Sequence, residues 1–567
     1  MLLRDKCSNS NVFSALSLDI FFIKWYNLYM ESIKKTIDLS AMTRSELEDG
    51  FVKLSVEIEA MAAKLSWYEE QFLLSRAQRF GPSSAKSDFA QMTFFNEAES
   101  ESYGKIIPEP ELETVKPPRK AKEKGHKDKI TGNLPTEVIE YKLTPEEQVC
   151  PECKGPLHEM DKEVRKELKV IPAQVMVTEH VRYTYACRGC DKNAISVPVI
   201  TAKAPNPPFR NSLASPSMLA HVITRKYVEA IPLYRQMQQF QRYGLMLSKQ
   251  TLANWVVKTG VLLKPVYDMM HNDLLSNDVL HADDSVLEVL REPGRDATTD
   301  SYMWLYRTSG CAEKPIVMYE YSPGRSGDYP EKFLKGFKGY LHTDAYAGFH
   351  KLEKSMPDKP PDITLVGCWS HARAKYDESL KALKNKEGAS ALLTRQGLEY
   401  CNILFRLEQA MEGLPPDERK KRRDEEARPT VEAYFEWAEK NEPLVLAQSL
   451  LGKAVTYSLN QRKYLERYLL DGRLELSNNK AERSIKPFVI GRKNWLFSNT
   501  PAGADASALL YSIAETAKEN DLNPFPYFQY LFEQIPNIDV SDPAAIGKLL
   551  PYSDRLPESC RNLARPE

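Results

Sequence analysis

The chain has 567 residues, 42% hydrophobic and 27% charged; at about 150 residues per domain this predicts three or four globular domains. Its 77 Lys and Arg balance 78 Asp and Glu. That excludes a uniformly basic, histone-like binder and a wholly disordered acidic chain, but leaves room for nucleic-acid binding by charge segregated along the sequence. Nine cysteines in this length exclude a small disulfide scaffold. Five of them (Cys7, Cys311, Cys368, Cys401 and Cys560) read as reduced thiols, so the expected compartment is the reducing cytoplasm. No apolar run reaches the roughly 18 residues of a membrane span, so no membrane partner is expected. The nearest, Val12 to Ile23, is interrupted by Ser14, Ser17 and Asp19. Residues 1–44 read as an extension upstream of the natural start, since Met30 opens a better-behaved sequence.

From Leu47 the apolar positions Leu47, Phe51, Leu54, Ile58, Met61, Leu65, Tyr68 and Phe72 step 4-3-4-3-4-3-4. This is the a/d seam of a coiled coil, so residues 45–95 are predicted to form a self-associating helix that Gly81-Pro82 ends. Residues 96–145 form a charged linker: 97–113 hold six Glu and one Lys, 116–129 seven Lys/Arg and two acids. Residues 146–200 contain two CxxC pairs, considered below. In the region 201–265, residues 201–260 carry eight Lys/Arg against the single acid Glu229, with aromatics interleaved. The pattern predicts a helix from Pro216 to Tyr227, a break at Ile231-Pro232, a helix to Tyr243, a turn at Gly244, and a helix capped by Ser248 through Trp255. A Gly turn between two short helices suggests a helix-turn-helix-like DNA-binding region, with Lys249 at the start of its second helix.

Strand-like runs follow at Val279–Val289, Tyr302–Thr308 and Pro315–Tyr321, at hairpin spacing. A helix candidate, Pro330 to Gly336, precedes strands Gly339–Thr343 and Ile363–Cys368. Three strands and then alternating helix and strand suggest a ribonuclease H-like α/β core, begun over 275–380. Residues 381–470 read as a helical insertion. Residues 471–540 complete the core with C-terminal helices, and 541–567 read as a tail. The predicted fold class is thus multidomain α+β.

Cys150, Cys153, Cys187 and Cys190 form two CxxC pairs separated by 33 residues. Two such pairs make the closed tetrahedral thiolate set of a structural Zn²⁺ site, which has no open position for catalysis. Asp283 lies in one strand-like run and Asp344 ends another. Carboxylates on adjacent strands converge without crossing a core, and Glu482, at a helix start capped by Ser477 or Asn479, supplies a third. Such a set holds two Mg²⁺ ions about 4 Å apart, which activate a water or 3′-hydroxyl at a phosphodiester. On spacing alone Asp284 rivals Asp283. Residues 483–497 carry Arg483, Lys486, Arg492 and Lys493 and no acid, and His371 and Arg373 follow the fifth strand. Cations beside a carboxylate cluster suit a polyanionic substrate.

Several motifs occur in order. Arg76 to Ser84 follows the seam, and Cys150-Pro-Glu-Cys153 pairs with Cys187-Arg-Gly-Cys190. Then come Ala214-Ser-Pro-Ser-Met-Leu-Ala220, Ile231-Pro-Leu-Tyr-Arg235 and Ser248-x-x-Thr-Leu-x-x-Trp255. Tyr321-Ser-Pro-Gly-Arg-Ser326, Phe337-Lys-Gly-Tyr-Leu-x-Thr-Asp344 and Cys368-Trp-Ser-His-Ala-Arg373 follow. The set ends with Asp471-Gly-Arg-x-Glu-x-Ser-Asn-Asn-x-Ala-Glu-Arg483 and Gly491-Arg-Lys-Asn-Trp-Leu-Phe497. With these the chain resembles, over roughly 45–535, the transposases of the insertion sequence 66 family.

The resemblance implies a DDE transposase with a ribonuclease H-like core and Mg²⁺ or Mn²⁺ at Asp283, Asp344 and Glu482. It favours Asp283 over Asp284 and places a helical insertion between the second and third carboxylates. It implies binding to the terminal inverted repeats of an insertion sequence, strand cleavage, and transfer into target DNA. It also implies a homodimer or higher synaptic assembly in the bacterial cytoplasm, with accessory proteins of the same element as partners. Arg325, His371, Arg373, Arg483, Lys486, Arg492, Lys493 and Lys249 are the expected DNA contacts. The chain departs from the family pattern at Asp283-Asp284-Ser285, where Asp-Glu-Thr is usual. It departs again at Asp344-Ala345-Tyr346, where Asp-Gly-Tyr is usual, and at Arg373-Ala374, where two arginines are usual. No departure removes a triad carboxylate. The rival classes are a DNA-binding regulator with a decayed nuclease core and a ribonuclease H-like nuclease without a joining step.

Overall fold

The computed structural model describes residues 174–186, 199–354, 361–383 and 388–562, with six further helical positions at 61, 64, 65, 68, 69 and 72. The four CxxC cysteines, the charged linker and residues 1–44 lie outside the described residues. Of the predicted seam, Met61, Leu65, Tyr68 and Phe72 are described; all four are helical and exposed. No helix among the described residues is long and apolar enough to cross a membrane.

A short antiparallel pair, β1 (Thr184–Ala186) and β2 (Val199–Thr201), precedes four helices. These are α1 (Pro216–Tyr227), α2 (Leu233–Arg242), α3 (Lys249–Leu262) and α4 (Lys264–Leu275). Local signals set their ends. Ser215 and Ser248 each accept a backbone N–H of the first turn, from Met218 and Thr251, as N-caps do. Gly244 takes φ +82 between α2 and α3, a conformation that costs glycine little. Helix α3 runs seven residues past the expected Trp255, because Val256, Thr259 and Gly260 are also buried. Gly260 lies so close to Ala506 that a Cβ would sit 2.9 Å from its methyl group. The four helices are therefore no separate module: their apolar faces belong to the same continuous core as the sheet and the C-terminal helices.

The sheet has five strands in the order β5-β4-β3-β6-β7. Strands β3 (Val279–Glu288), β4 (Asp300–Thr308) and β5 (Val317–Ser322) are antiparallel. Strands β6 (Gly339–His342) and β7 (Ile363–Val366) continue parallel to β3. Two short helices, α5 (Asp328–Phe333) and α6 (Ala347–His350), flank β6. Gly339 is at φ +149, and a Cβ there would lie 2.1 Å from the Asp278 carbonyl. Only glycine lets β6 approach β3 this closely, so it anchors the parallel register in which His281 pairs with His342.

Helix α7 (Trp369–Ala382) leads into the insertion, which holds α8 (Ala389–Ala410), α9 (Pro416–Arg422), a π-turn (Arg423–Ala427), α10 (Arg428–Asn441) and α11 (Leu450–Leu465). These helices form a second core around Trp369 and Tyr434, both fully buried. Burial of one such side chain contributes roughly 1.5–3 kcal/mol. The chain returns to the sheet through α12 (Asn479–Trp495), α13 (Pro501–Glu519) and α14 (Pro524–Gln534). Helix α13 covers the edge strand β5: Ser512 and Thr516, one turn apart, accept the N–H groups of Tyr319 and Val317 at 2.8 and 2.9 Å. This satisfies an edge that would otherwise invite strand pairing. Residues 541–562, read as a tail, pack into the main core through Ile546, Leu549, Leu550, Leu556 and Cys560.

Arg423 ties the insertion to the segment that leads out of it. Its side chain is wholly buried, yet its guanidinium is fully used. It makes a bidentate pair with Glu408 at 2.7 and 2.6 Å and donates to the carbonyls of Tyr468, Asp471 and Leu474. Arg423→Ala would leave a carboxylate and three carbonyls without their donor, at a cost of about 3–5 kcal/mol. We expect a large drop in the thermal midpoint that Arg423→Lys does not restore, because an ammonium cannot span the bidentate pair.

Glu320, on β5, gives a pH-dependent test. Burial pushes its carboxyl up to about 8, against the pull of Lys332. The folded-state value lies above the ordinary carboxylate value, so the fold holds a proton that the unfolded chain releases. Stability on this account is full at low pH and is lost as pH rises from about 4.5 to about 8. Glu320→Gln should therefore stabilise at pH 9, by on the order of 2–4 kcal/mol, and change little at pH 4, as read by denaturant unfolding at the two pH values.

Candidate active site

Alternation along β3 places Leu280, Ala282 and Asp284 on one face of the sheet and Val279, His281 and Asp283 on the other. The parallel pairing of His281 with His342, carried two residues further, brings Asp344, just past the end of β6, level with Asp283 midway along β3. Asp344 is fixed by a turn in which its Oδ1 accepts the Tyr346 N–H at 3.0 Å.

Helix α12 delivers Glu482 to this part of the sheet. Arg307 of β4 donates to Ser484 Oγ at 2.5 Å and to the Lys480 carbonyl, and is paired with Glu519. Tyr319 of β5 donates to the Ser484 carbonyl. Both hold the helix on the Asp283 face. The helix is capped by Asn478, not by Ser477 or Asn479, and its side chain makes no capping bond. Instead Asn478 Nδ2 donates to the Ala282 carbonyl at 2.8 Å and Oδ1 meets His281 Nδ1 at 2.9 Å. Its backbone N–H donates to Cys368 Sγ at 3.2 Å. A buried asparagine thus joins β3, the start of α7 and the start of α12.

The carboxylates feel one another. Burial, then the Asp344, Glu482 and Asp284 charges, pushes Asp283 up to about 7, against the Asp284 N–H that its Oδ1 accepts at 2.8 Å. Asp284 behaves differently. Burial raises its carboxyl too, but Arg325 opposes the rise through bonds from Nε and Nη2 at 2.9 Å. Arg325 stacks on the Tyr346 ring with its guanidinium carbon 3.9 Å from the centroid. It is therefore the counter-ion of Asp284, and Asp283 is left without one.

Beneath the carboxylates, His281 and His342 stack with ring centroids 4.8 Å apart and planes 4° from parallel. Burial lowers both, His342 to about 3, so the pair is neutral and adds no charge under the site. Beside them His371, one turn into α7, has Nε2 3.8 Å from Glu482 Oε1. Contact with Cys368, then the Glu482 and Asp344 charges, pushes His371 up to about 9 against burial. Cys368 Sγ, a ring nitrogen of His371 and a carboxylate oxygen of Glu482 all lie within 4.8 Å of one another.

The expected DNA contacts divide. Arg483 and Lys493 are exposed on α12, Lys486 and Arg492 are half-buried on the same helix, and Lys249 is exposed at the start of α3. Arg373 turns into the insertion, where its Nε donates to Asn402 of α8 at 2.8 Å. His371 belongs with the carboxylates. Cys368, Asn478, His281 and His342 escaped the sequence reading. The one local signal was the Cys-x-x-His step at a strand end, which puts both side chains on one face of a helix.

The donor set fits a hard divalent cation. The Asp344 and Glu482 charges act on the buried Asp283, and Glu482 Oε1 is buried without a hydrogen-bond partner among the described residues, a bond that an oxygen-loving ion would supply.

Known proteins place these observations. Residues 211–506 match the profile "Transposase IS66 family". Residues 147–191, which hold all four CxxC cysteines, match the "zinc-finger binding domain of transposase IS66", and residues 512–552 the "IS66 C-terminal element". Among similar proteins of Sinorhizobium fredii (strain NBRC 101917 / NGR234), "Uncharacterized protein y4qI" is 31% identical over 426 residues, 74% of this chain and 76% of its own. "Uncharacterized protein y4hP" is 29% identical over 414 residues, 71% of this chain and 73% of its own. With its transposase region, zinc-finger domain and C-terminal element all matched in order, the chain belongs to the IS66 transposase family.

Proposed function

We propose that the chain is a DNA transposase that binds the terminal inverted repeats of its insertion sequence and carries out Mg²⁺-dependent strand cleavage and transfer. The observation that carries this reading is that Asp344 and Glu482, from two distant segments, bring their charges to bear on the buried Asp283, with the basic surface of α12 running on from Glu482. The strand order, three antiparallel and two parallel, supports a ribonuclease H-like core. The α2–Gly244–α3 unit supports the helix-turn-helix reading, and the exposed seam positions support pairing of protomers. Cys150, Cys153, Cys187 and Cys190, within the matched zinc-finger domain, are the residues to hold a structural Zn²⁺.

Asp283, Asp344 and Glu482 would hold the catalytic Mg²⁺ or Mn²⁺. A bound ion of this kind supplies an activated water or 3′-hydroxyl and charge stabilisation of the leaving oxygen. The protein's part is to hold the substrate in line. Lys486 and Lys493 lie at i+4 and i+11 from Glu482, on its side of the helix, and Arg483 and Arg492 flank them. These four are placed to pin successive phosphates while the scissile one sits at the carboxylates. Arg325 neutralises Asp284 and steadies the Tyr346 turn, so it acts on the site through Asp344 and not on phosphate. The neutral His281–His342 pair supports the two strands beneath the carboxylates.

Strand transfer with pre-cleaved element ends tests the assignment. Asp283→Asn, Asp344→Asn and Glu482→Gln should each lower joining at least about 100-fold while end binding persists; normal joining in all three contradicts it. A second test concerns the helix. Lys486→Ala and Lys493→Ala should weaken binding to duplexes of any sequence alike and lower the slope of log affinity against log salt by about one unit each, measured by fluorescence anisotropy across a salt series.

A further inference from the structure

We propose that Cys368, His371 and Glu482 form a second metal site, selective for a thiophilic divalent cation such as Zn²⁺, that shares Glu482 with the carboxylate cluster. The three donor atoms lie within 4.8 Å of one another. Cys368 is 1% exposed and ends the strand-to-helix junction at β7–α7, with its sulfur fixed by the Asn478 N–H at 3.2 Å. His371 follows three residues later, so both side chains project from the same side of the first turn of α7. Glu482 reaches the pair from α12, with Oε1 3.8 Å from His371 Nε2.

Two atoms at this point are buried without a hydrogen-bond partner among the described residues: Glu482 Oε1 and His371 Nδ1. A buried polar atom left unbonded costs on the order of 1–3 kcal/mol, and Glu482 Oε1, unbonded beside the imidazole and the thiol, points to a missing ligand. The donor types define it. Sulfur, imidazole nitrogen and carboxylate oxygen suit Zn²⁺, whereas Mg²⁺ takes oxygen donors in an octahedron and does not recruit a thiol. Tetrahedral Zn²⁺, with bonds of about 2.0–2.3 Å, sets its donors roughly 3.5 Å apart. Closing the set needs about 1 Å of movement, which the half-exposed His371 and Glu482 side chains allow while Cys368 stays fixed. Three protein donors leave a fourth position for water.

Glu482 is common to both sites, so the two ions compete for its carboxylate. Occupation of the sulfur-containing site withdraws it from Asp283 and Asp344, so, on the catalytic reading above, a thiophilic ion competes with Mg²⁺ and holds the enzyme inactive. The binding claim itself does not rest on that reading.

Titration of the metal-free full-length chain with Co²⁺, a spectroscopic substitute for Zn²⁺, tests the site. The native chain should take up one equivalent more than either Cys368→Ser or His371→Ala. That extra equivalent should carry a thiolate-to-cobalt charge-transfer band, and millimolar Mg²⁺ should weaken its binding at least several-fold. His371→Ala alters a half-exposed helical position, so it decides the matter even where Cys368→Ser unfolds. Asp283→Asn should keep the extra equivalent, which separates this site from the carboxylate ion whether or not that variant still joins DNA. Equal stoichiometry and equal absorption in the native chain and His371→Ala would overturn the proposal.

Discussion

Asn478 is the constraint on which the candidate site depends. Its side chain closes two bonds to β3 and its backbone closes one to Cys368 at the head of α7. Each of those elements carries chemistry: Asp283 follows His281 on β3, His371 follows Cys368 on α7, and Glu482 lies four residues beyond Asn478 on α12. Asn478 is wholly buried, so water does not compete for these bonds and each acts at low local dielectric. The segment before it is held as firmly, because Arg423 grips the carbonyls of Tyr468, Asp471 and Leu474 and the Trp369 N–H donates to the Leu476 carbonyl. The insertion thereby serves as more than a spacer. It fixes the strand-to-helix connection that returns the third carboxylate to the sheet.

The electrostatics follow from this geometry. Burial first, and then the neighbouring carboxylate charges, raise Asp283, since both disfavour its ionised form without a cation. The protein offsets the acidic charge on one side only. Alternation sends Asp284 to the opposite face, where Arg325 and the Tyr346 ring absorb its charge, while Asp283 faces Asp344 and Glu482 uncompensated. Below, neutral stacked histidines fill the space between β3 and β6 without adding charge. The free cations sit along α12, where a polyanion would meet them.

Much of the fold was legible because local signals and tertiary packing agree. Ser215 before Pro216, Gly244, Ser248, and the three strand-like runs after Asp278 all coincide with element ends. What local reading missed depends on contacts between residues far apart in sequence. Nothing near Asn478 shows that its amide will meet Ala282, or that Arg423 will sit buried among three carbonyls, because each contact spans tens to nearly two hundred residues. The helix-turn-helix-like region looked separable for the same reason: its dependence on Ala506 and the C-terminal helices lies outside its own sequence. Within the site, spacing left Asp283 and Asp284 as rivals and only the family resemblance favoured Asp283, while Arg325 and Arg373 looked like free cations because their partners, Asp284 and Asn402, become neighbours only in the fold.

The central claim is that Asp283, Asp344 and Glu482 constitute one metal-binding unit. Anomalous scattering from crystals grown with Mn²⁺ tests it most directly, since it locates the ion without reference to activity. The account predicts an anomalous peak within coordination distance of all three carboxylates, absent in Asp283→Asn. A peak bound elsewhere, or none at these carboxylates under saturating Mn²⁺, would contradict it.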